Sequence, residues 1–252
     1  MRLDTTAAPL AAALLAATAC AHASSSRERK TAEIHHDLAV EALRKGQAQD
    51  ALREYDLALE SDDTLPEAHR GRGLVLEFAF GKLKDAEAEY RKAIDLKPGL
   101  SEAHNDLGQV LARTGRYEEA LREFDEALGS TFYMEPWVAR LNKGQALYQM
   151  GRKEAGLTEI RNCLAISPRY CAARRALGLL QLGEGRTGES LETLAAYARD
   201  CETQPDAHLQ LGLARMKAGD LEGARAALQR CLEIAKGGPA GDECRRSLER
   251  LQ

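Results

Sequence analysis

Histidines, cysteines and one glycine-rich stretch are the residues of this chain whose types and spacing could support chemistry. Histidine and cysteine are common zinc ligands and common partners in nucleophilic catalysis. A GxGxxG stretch can hold phosphates where a strand ends and a helix begins, and residues 183–188 read GEGRTG. Four histidines recur at related positions: His35, His69, His104 and His208. Whether these groups can act together depends on the elements that position them.

The spacing of the histidines argues against a shared metal site. Each lies four residues before a small residue that recurs every 34 to 36 positions, so each belongs to a separate copy of one repeated element. Neighbouring helices pack about 10 Å apart, whereas a metal–nitrogen bond is about 2 Å long. We therefore expect packing or surface roles for these histidines, and no metal ligands.

The glycine-rich stretch does not predict an active site either. It follows a predicted helix and lies in a predicted turn between two helices, so the strand–turn–helix context of a phosphate-binding loop is missing. The sequence also contains no HExxH, no CxxC and no Ser or Cys nucleophile with a nearby histidine. We expect no catalytic residues and no cofactor, and we expect that the protein is not an enzyme.

Composition narrows the class of protein further. The 252 residues are 44% hydrophobic, 29% charged and 5% aromatic, with a formal net charge of −4. This balance favours a folded protein over a disordered or membrane-spanning one. The 35 basic and 39 acidic residues form no basic block, so a nucleic-acid partner is not expected.

Three series of residues repeat in step along the chain, at spacings of 34 to 36 positions. The first contains only small residues: Ala39, Gly73, Gly108, Gly144, Gly178 and Gly212. The second is Ala51, Ala86, Ala120, Gly156, Ser190 and Ala224, and the third is Ala58, Ala93, Ala127, Cys163, Tyr197 and Cys231. A glycine separates the first two series in every copy: Gly46, Gly81, Gly115, Gly151, Gly185 and Gly219. The pattern predicts six helical hairpins, because small residues let two helices approach closely and glycine turns the chain between them.

The repeated unit resembles the tetratricopeptide repeat, most clearly in residues 103–108 (AHNDLG) and 120–128 (ALREFDEAL). The resemblance implies an all-α, right-handed solenoid, in which stacked hairpins bury the apolar faces that one hairpin cannot bury alone. We expect the six copies at 32–65, 66–100, 101–136, 137–170, 171–204 and 205–238. A polar capping helix is expected over 239–252.

Three copies depart from the pattern. The second carries one extra residue near residues 78–81 (FAFG). The connection over 129–137 (GSTFYMEPW) is two residues longer than in the other copies and unusually aromatic. It can serve either as a local hydrophobic plug between hairpins or as an exposed contact. Bulky Tyr197 stands where the third series has small residues, so the packing of the fifth hairpin must differ locally.

The first helices of such hairpins line the concave face, the usual binding surface of the family. Positions one and four residues after each small residue of the first series should face inward. The predicted partner-binding groove is Val40, Leu43, Leu74, Gln109, Gln145, Tyr148, Leu179, Leu182, Leu213 and Met216, and the same offsets select Glu77 and Ala112. Its apolar ends and amide-rich middle suit an amphipathic helix or an extended segment of another protein. The alternative is that the solenoid itself covers part of these side chains.

Five cysteines follow Cys20 in the sequence. Cys171 opens the first helix of the fifth hairpin and Cys201 follows its second helix, so both should lie at the same end and form the leading candidate for a disulfide. Cys231 and Cys244 can meet between the last hairpin and the cap. Buried free thiols are the alternative for Cys163 and Cys231. An exported chain would meet an oxidising compartment, which permits these bonds.

The first 19 residues resemble the signal peptide of a bacterial lipoprotein. The apolar run over residues 7–17 is shorter than the roughly 20 residues that a transmembrane helix needs. Small residues Thr18 and Ala19 precede Cys20, which in that family becomes the lipidated first residue, while Ala21 favours the outer membrane. The alternative is a plain secretory signal in which Cys20 is incidental. Residues 20–31 are predicted to form a lipidated polar tether.

Six such repeats behind a lipidated cysteine are similar to the pilotin lipoproteins of type IV pilus systems, and most similar in length and repeat count to the pilotin of social-motility pili. The resemblance implies a monomeric, non-catalytic protein on the periplasmic face of the outer membrane. Its partner would be the pilus secretin, whose monomers it would bind and help to insert and multimerise. The alternative is an outer-membrane scaffold that recruits peptidoglycan hydrolases or supports polysaccharide export.

Overall fold

Thirteen helices and no strands make up the part of the chain that the computed structural model describes, residues 25–251. The predicted all-α fold class is confirmed over this range. The predicted signal peptide and Cys20 lie outside the described residues. Among the described helices, none is both long and apolar enough to cross a bilayer. The chain divides into two compact units, with the boundary between Leu96 and Lys97.

The N-terminal unit contains two helical hairpins. Its helices are α1 (Ser26–Arg44), α2 (Ala48–Ser61), α3 (Pro66–Phe78) and α4 (Leu83–Leu96). Helix α1 packs on α2 and α3 packs on α4, while α3 also contacts both helices of the first hairpin. Tyr55 on α2 and Tyr90 on α4 are buried and fill the seams of the two hairpins.

Helix α1 begins earlier than the sequence analysis predicted. Residues 26–31 were expected to belong to the polar tether, but they form the first turns of α1. The physical reason is a capping box: the Ser25 hydroxyl accepts a hydrogen bond from the Glu28 backbone N–H at 3.2 Å, and the Ser25 N–H donates to the Glu28 carboxylate at 2.7 Å. These two bonds satisfy N–H groups that a helix start otherwise leaves unpaired.

The C-terminal unit contains four hairpins and a final helix. The hairpins are α5 (Ser101–Arg113) with α6 (Tyr117–Gly129), α7 (Pro136–Gln149) with α8 (Lys153–Ile166), α9 (Cys171–Gly183) with α10 (Thr187–Asp200), and α11 (Pro205–Ala218) with α12 (Leu221–Ala235). Two pairs of first helices contact each other, α5 with α7 and α9 with α11. Helix α13 (Gly238–Glu249) packs on both α11 and α12.

The glycines between paired helices have left-handed backbone conformations, which the sequence pattern had indicated. Their φ values lie between 65° and 81°, at Gly46, Gly81, Gly115, Gly151, Gly185 and Gly219. Residues with a Cβ rarely adopt such values. Glycine at these six positions therefore sets the reversal of direction between the two helices of each hairpin.

A second set of glycines lets paired helices approach closely. A Cβ on Gly108 would lie 2.5 Å from the Phe124 ring, and one on Gly178 would lie 2.6 Å from Leu194. Phe124 and Leu194 are fully buried. The large side chain on each second helix therefore occupies the space that a Cβ on the first helix would need, which explains why the first series contains only small residues.

The aromatic connection between α6 and α7 contributes both to the core and to the surface. Tyr133 is buried and packs with Ala127 and Ala139. Phe132 and Met134 on either side of it are exposed, at 91% and 77%. The sequence allowed either a hydrophobic plug or an exposed contact. In the structure Tyr133 is the plug, whereas Phe132 and Met134 are exposed.

Candidate functional site

The C-terminal unit has two adjoining hollows along its first helices. The larger, of about 610 Å³, lies between α7 and α9 and is lined by Gln109, Val138, Leu141, Asn142, Gln145, Tyr148, Gln149, Tyr170, Ala172, Arg175, Ala176, Leu179 and Leu180. The smaller, of about 230 Å³, is lined by Gln109, Ala112, Arg113, Tyr117, Phe124, Asn142, Gln145, Ala146 and Gln149. We call the two together the amide groove, because four amide side chains line both of them.

The four shared amide side chains lie where the two hollows adjoin. Gln109 comes from α5, whereas Asn142, Gln145 and Gln149 come from successive turns of α7. Asn142 Nδ2 donates to Oδ1 of buried Asn105 at 2.9 Å, which fixes the orientation of its amide. The three glutamine side chains make no hydrogen bond with other described residues. Each therefore presents both donors and an acceptor to whatever enters the groove.

A small polar cluster surrounds the hydroxyl of Tyr148, which lines the larger hollow. The Tyr148 hydroxyl donates to the Glu184 carboxylate at 2.5 Å, and Lys153 Nζ donates to the same oxygen at 2.8 Å. This bond to Glu184 raises the pKa of Tyr148, and the two donors lower the pKa of Glu184. The cluster links α7 to the end of α9 and holds the Tyr148 ring at the groove edge.

An ion-pair network positions Arg175, which lines the same hollow. Arg175 Nε donates to Asp206 Oδ2 at 2.7 Å, and the Tyr197 hydroxyl donates to the same oxygen at 3.1 Å. Tyr197 is 2% exposed, and burial raises its pKa to about 12, so the hydroxyl stays a donor at neutral pH. Tyr197, where the sequence predicts altered packing, thus belongs to the network that orients Arg175.

The predicted groove residues fall into three groups in the structure. Gln109, Gln145, Tyr148 and Leu179 line the amide groove. Val40, Leu43 and Leu74 lie on α1 and α3 of the N-terminal unit. Leu182 packs against the core around Leu194, and Leu213 and Met216 pack with Leu232, Leu248 and Leu251 around the Cys231–Cys244 pair.

Besides Leu182, three more predicted groove positions differ in the structure. Leu213 and Met216 are partly buried because α13 packs on α11, and the sequence did not indicate where the cap would dock. Glu77 is 2% exposed, and its carboxylate accepts a hydrogen bond from the buried Tyr90 hydroxyl at 2.9 Å. Glu77 is therefore a buried acceptor for a hydroxyl group and does not line the groove, where its spacing had placed it.

Sequence reasoning missed several groove residues that lie one turn on either side of the chosen offsets. Leu141 and Arg175 stand three residues before Gly144 and Gly178, and Gln149 stands five residues after Gly144. These positions share a helix face with those that were selected, since residues three or four apart are neighbours on a helix. Extending the offsets by one turn would have found them.

Three of the four repeating histidines form a clasp between the two helices of their hairpins, whereas His208 bonds through Nε2 to the Glu202 backbone oxygen at 3.1 Å. His35, His69 and His104 each bond through Nδ1 to a glutamate on the second helix, at 2.7 to 2.8 Å. The partners are Glu54, Glu89 and Glu123. Arg140 takes the same position in the next hairpin and donates to Glu159 at 2.9 Å. No cluster of three His, Cys, Asp or Glu residues able to hold a metal occurs among residues 25–251.

The clasp at His104 predicts a pH-dependent contribution to stability. The hydrogen bond to Glu123 raises the pKa of His104 above its usual 6.5. A group whose pKa is raised in the folded state stabilises the fold fully below its unfolded-state pKa. This stabilisation is lost as the pH rises through the folded-state pKa. His104→Gln should therefore lower the free energy of unfolding more at pH 6 than at pH 9, measured by urea denaturation. Glu123→Gln should remove the same pH-dependent part, whereas an equal loss at both pH values would contradict the account.

The glycine-rich stretch lies in a helix–turn–helix segment. Gly183 ends α9, Gly185 is the left-handed turn residue, and Gly188 lies in the first turn of α10. A helix precedes the stretch where a phosphate-binding loop would have a strand. The segment therefore serves as the turn of the fifth hairpin.

The cysteines of the C-terminal unit form two disulfides. Cys171 is bonded to Cys201, with Cα atoms 6.1 Å apart, and Cys231 is bonded to Cys244, with Cα atoms 6.3 Å apart. The first bond joins the start of α9 to the end of α10, and the second joins α12 to α13. Cys163 is a buried free thiol, and burial raises its pKa to about 11.

Sequence comparison identifies the repeated unit. Models described as tetratricopeptide repeat match residues 36–101 and 175–239, residues 77–131, and residues 139–170. The first of these models alone covers more than half of the chain. All three describe the repeat, and none describes a catalytic family. No curated protein matches the sequence.

Solved structures show the same fold. PilW, described as a widely conserved type IV pilus biogenesis factor, is 23% identical with a TM-score of 0.75, over 84% of this chain and 96% of that one. PilF of Pseudomonas aeruginosa is 20% identical with a TM-score of 0.71, over 87% and 99%. A tetratricopeptide repeat protein from Parabacteroides merdae is 16% identical with a TM-score of 0.68, over 87% and 84%. At these identities the similarity establishes the fold alone.

Proposed function

The chain belongs to the tetratricopeptide repeat family, and from that premise we propose that it is an outer-membrane lipoprotein of the pilotin class. In this proposal it binds secretin monomers and promotes their insertion and multimerisation in the outer membrane for type IV pilus assembly. It performs no chemistry itself. It needs no cofactor, and it acts as a monomer.

The amide groove is the observation that carries the proposal. It combines an apolar wall, including Leu141 and Leu179, with polar groups that can orient a bound chain, including Gln145 and Arg175. Recognition of a polypeptide segment uses this combination of apolar anchors and polar orientation. A hollow of about 610 Å³ falls in the usual range for binding sites, about 300 to 1,000 Å³.

Export and membrane attachment are supported by the cysteines. Disulfides persist in oxidising compartments and are rare in the cytosol, and the C-terminal unit contains two of them. Cys20, outside the described residues, would carry the lipid that holds the module on the periplasmic face of the outer membrane. One acyl chain binds membranes only marginally, so stable attachment requires more than one chain.

The pilus assignment rests on two supports. The predicted order of a lipoprotein signal and six repeats is similar to that of pilotin lipoproteins, and the fold is shared with PilW and PilF, of which the first is described as a type IV pilus biogenesis factor. An outer-membrane scaffold for peptidoglycan hydrolases or polysaccharide export would have the same fold. The identity of the captured partner distinguishes the two functions.

Charge placed in the groove should abolish capture of the secretin. Leu179→Asp combined with Gln145→Asp replaces an apolar anchor and an amide of the groove by carboxylates, and desolvating these charges against an apolar side chain of the partner is unfavourable. We expect at least a tenfold loss of secretin monomers recovered with the purified protein, with helicity unchanged by circular dichroism.

Leu221→Asp provides the matched control, because Leu221 is 53% exposed at the start of α12 and does not line the groove. This variant should capture secretin as the unaltered protein does. Undiminished capture by the groove variant would place the secretin site elsewhere. Capture of hydrolases or export proteins in place of secretin would favour the scaffold function.

A further inference from the structure

We propose that one exposed face of α1 lies on a phospholipid membrane surface, where its basic first turns contact anionic headgroups and its apolar middle enters the interface. We call it the α1 face, and it consists of Arg27, Lys30, Ile34 and Leu38. The inference rests on the proposed lipidation of Cys20, and it does not depend on which protein partner is bound. It is carried by the exposure of the face, its distance from Cys20, and the charge at the start of the helix.

The α1 face points away from the rest of the N-terminal unit. Ala39, on the opposite side of α1, is fully buried in the core that this helix shares with α2 and α3. Ile34 is 54% exposed and Leu38 is 49% exposed. The four residues of the face follow one another at intervals of three or four, so they share one side of the helix. Two large apolar side chains are therefore presented outward in line with two basic ones.

The short stretch between Cys20 and α1 keeps this face within reach of a membrane. The capping box at Ser25 starts the helix there, so five peptide units separate Cys20 from Ser25. At about 3.6 Å per residue they span at most about 18 Å. Ile34 lies about 14 Å along the helix axis from Ser25. A lipid on Cys20 would thus hold the start of α1 beside the bilayer, and a helix lying along the surface would bring its apolar middle into contact.

The first turns of α1 carry positive charge that suits anionic headgroups. Arg27 and Lys30 are exposed, and neither side chain forms an ion pair with another described residue. Glu28, the acidic residue of these turns, accepts a hydrogen bond from the Ser25 N–H. The acidic residues further along the exposed side each lie 3.3 to 3.4 Å from a basic or histidine side chain: Glu33 from Arg29, Asp37 from His36, and Glu41 from Lys45. The charge left for a partner is therefore the pair at the helix start.

Basic residues combined with exposed apolar ones are typical of helices that lie in the membrane interface. Such helices bury their apolar side about 5 to 10 Å into the boundary between headgroups and acyl chains. Two apolar residues offer little area for this burial, so the α1 face would orient a protein that is already anchored by its lipid. A second copy of the chain is the alternative occupant, and the experiment distinguishes the two.

Quenching of a fluorophore by the membrane tests the proposal. Lipidated protein carrying Ile34→Cys is purified from outer membranes, labelled at the new thiol, and reconstituted in vesicles of phosphatidylethanolamine and phosphatidylglycerol. The described native cysteines do not compete for the label, because four form disulfides and Cys163 is buried. We expect lipids with a spin label next to the headgroup to quench most of the emission. An unquenched label would overturn the proposal.

Phe78→Cys is the matched control, because Phe78 is an apolar residue of the same unit that is 67% exposed and lies on α3, outside the α1 face. Its label should keep its emission. Equal quenching at both positions would mean unspecific adsorption, and quenching at the control alone would place another surface on the membrane. Self-quenching of the Ile34→Cys label that grows with protein density would show that a second copy covers the face. Each of these results would overturn the proposal.

Removal of the two positive charges tests the role of the headgroups. Arg27→Gln with Lys30→Gln should lower the ratio of membrane-bound to free α1 by about fivefold for each charge, and quenching should fall to the level seen in phosphatidylcholine vesicles. Arg53→Gln with Lys84→Gln removes the same charge from exposed positions on α2 and α4 and should leave quenching unchanged. Equal effects of the two pairs would contradict a contact at the start of α1.

The outcomes separate this inference from the pilotin function. If the Ile34→Cys label is quenched while secretin multimers form without the protein, the inference stands and the pilus role fails. If Cys20 is acylated and the multimers require the protein but the label is unquenched, the inference alone fails. The mass of the purified protein reports the acylation, and an unmodified Cys20 would overturn the premise of the inference.

Discussion

Replacing Cys171 and Cys201 together by Ser is expected to lower the free energy of unfolding of the C-terminal unit substantially. The bond closes a loop of 30 residues, and a cross-link of this length stabilises by about 3 kcal/mol, chiefly through the entropy of the unfolded chain. It also joins the start of α9, which contributes Arg175 and Leu179 to the amide groove, to the end of α10. Urea denaturation of the oxidised protein and of the double variant measures the difference.

The reducing agent supplies the control for this prediction. In dithiothreitol both proteins lack the Cys171–Cys201 bond, so their unfolding midpoints should converge, with both also losing the Cys231–Cys244 bond. A difference that persists undiminished in the reductant would mean that the serines disturb packing. The cross-link would then not be the source of the stability.

Gly156→Ala is expected to be the most damaging single-methyl addition in the chain. A Cβ at this position would lie 2.6 Å from the Gly144 carbonyl oxygen and 2.9 Å from the Tyr148 backbone nitrogen. Both obstacles are backbone atoms of α7, so a side-chain rotation cannot relieve the contact and the two helices must move apart. Overpacking of this kind costs up to about 3 kcal/mol, and the midpoint of urea denaturation should fall accordingly.

Gly188→Ala is the matched control for Gly156→Ala. It also lies in a second helix of a hairpin, but a Cβ there meets nothing within 4 Å. Alanine is favoured over glycine in a helix by about 1 kcal/mol, so this variant should be as stable as the unaltered protein or slightly more stable. Equal effects of the two substitutions would contradict the close-approach explanation.

The repeat architecture could be predicted because the residues that specify it act locally. A glycine such as Gly115 turns the chain through its own backbone conformation, and Gly108 opposes Phe124 within one hairpin. Both relations recur at a fixed spacing, so the sequence displays them several times. The same locality explains why the offsets selected Gln145 and Leu179, which line the groove: both lie at fixed distances from the small residues.

The features that could not be predicted depend on contacts between separate hairpins or on the cap. Leu213 faces the core because α13 docks on α11, and no repeated position encodes that docking. Arg175 is positioned by Asp206 of the following hairpin, together with Tyr197. The early start of α1 came from a capping box at Ser25, a local signal that the polar composition of the predicted tether concealed.

The amount of secretin in heat- and detergent-resistant multimers tests the central claim most directly. Outer membranes would be compared by immunoblot from cells with the intact gene, without it, and with Cys20→Gly or the Leu179→Asp, Gln145→Asp groove variant. We predict that multimers disappear without the gene while secretin monomers persist, and that both altered proteins fail to restore them. Multimers of normal abundance in the absence of the gene would contradict the pilotin function and leave only the repeat fold and its groove.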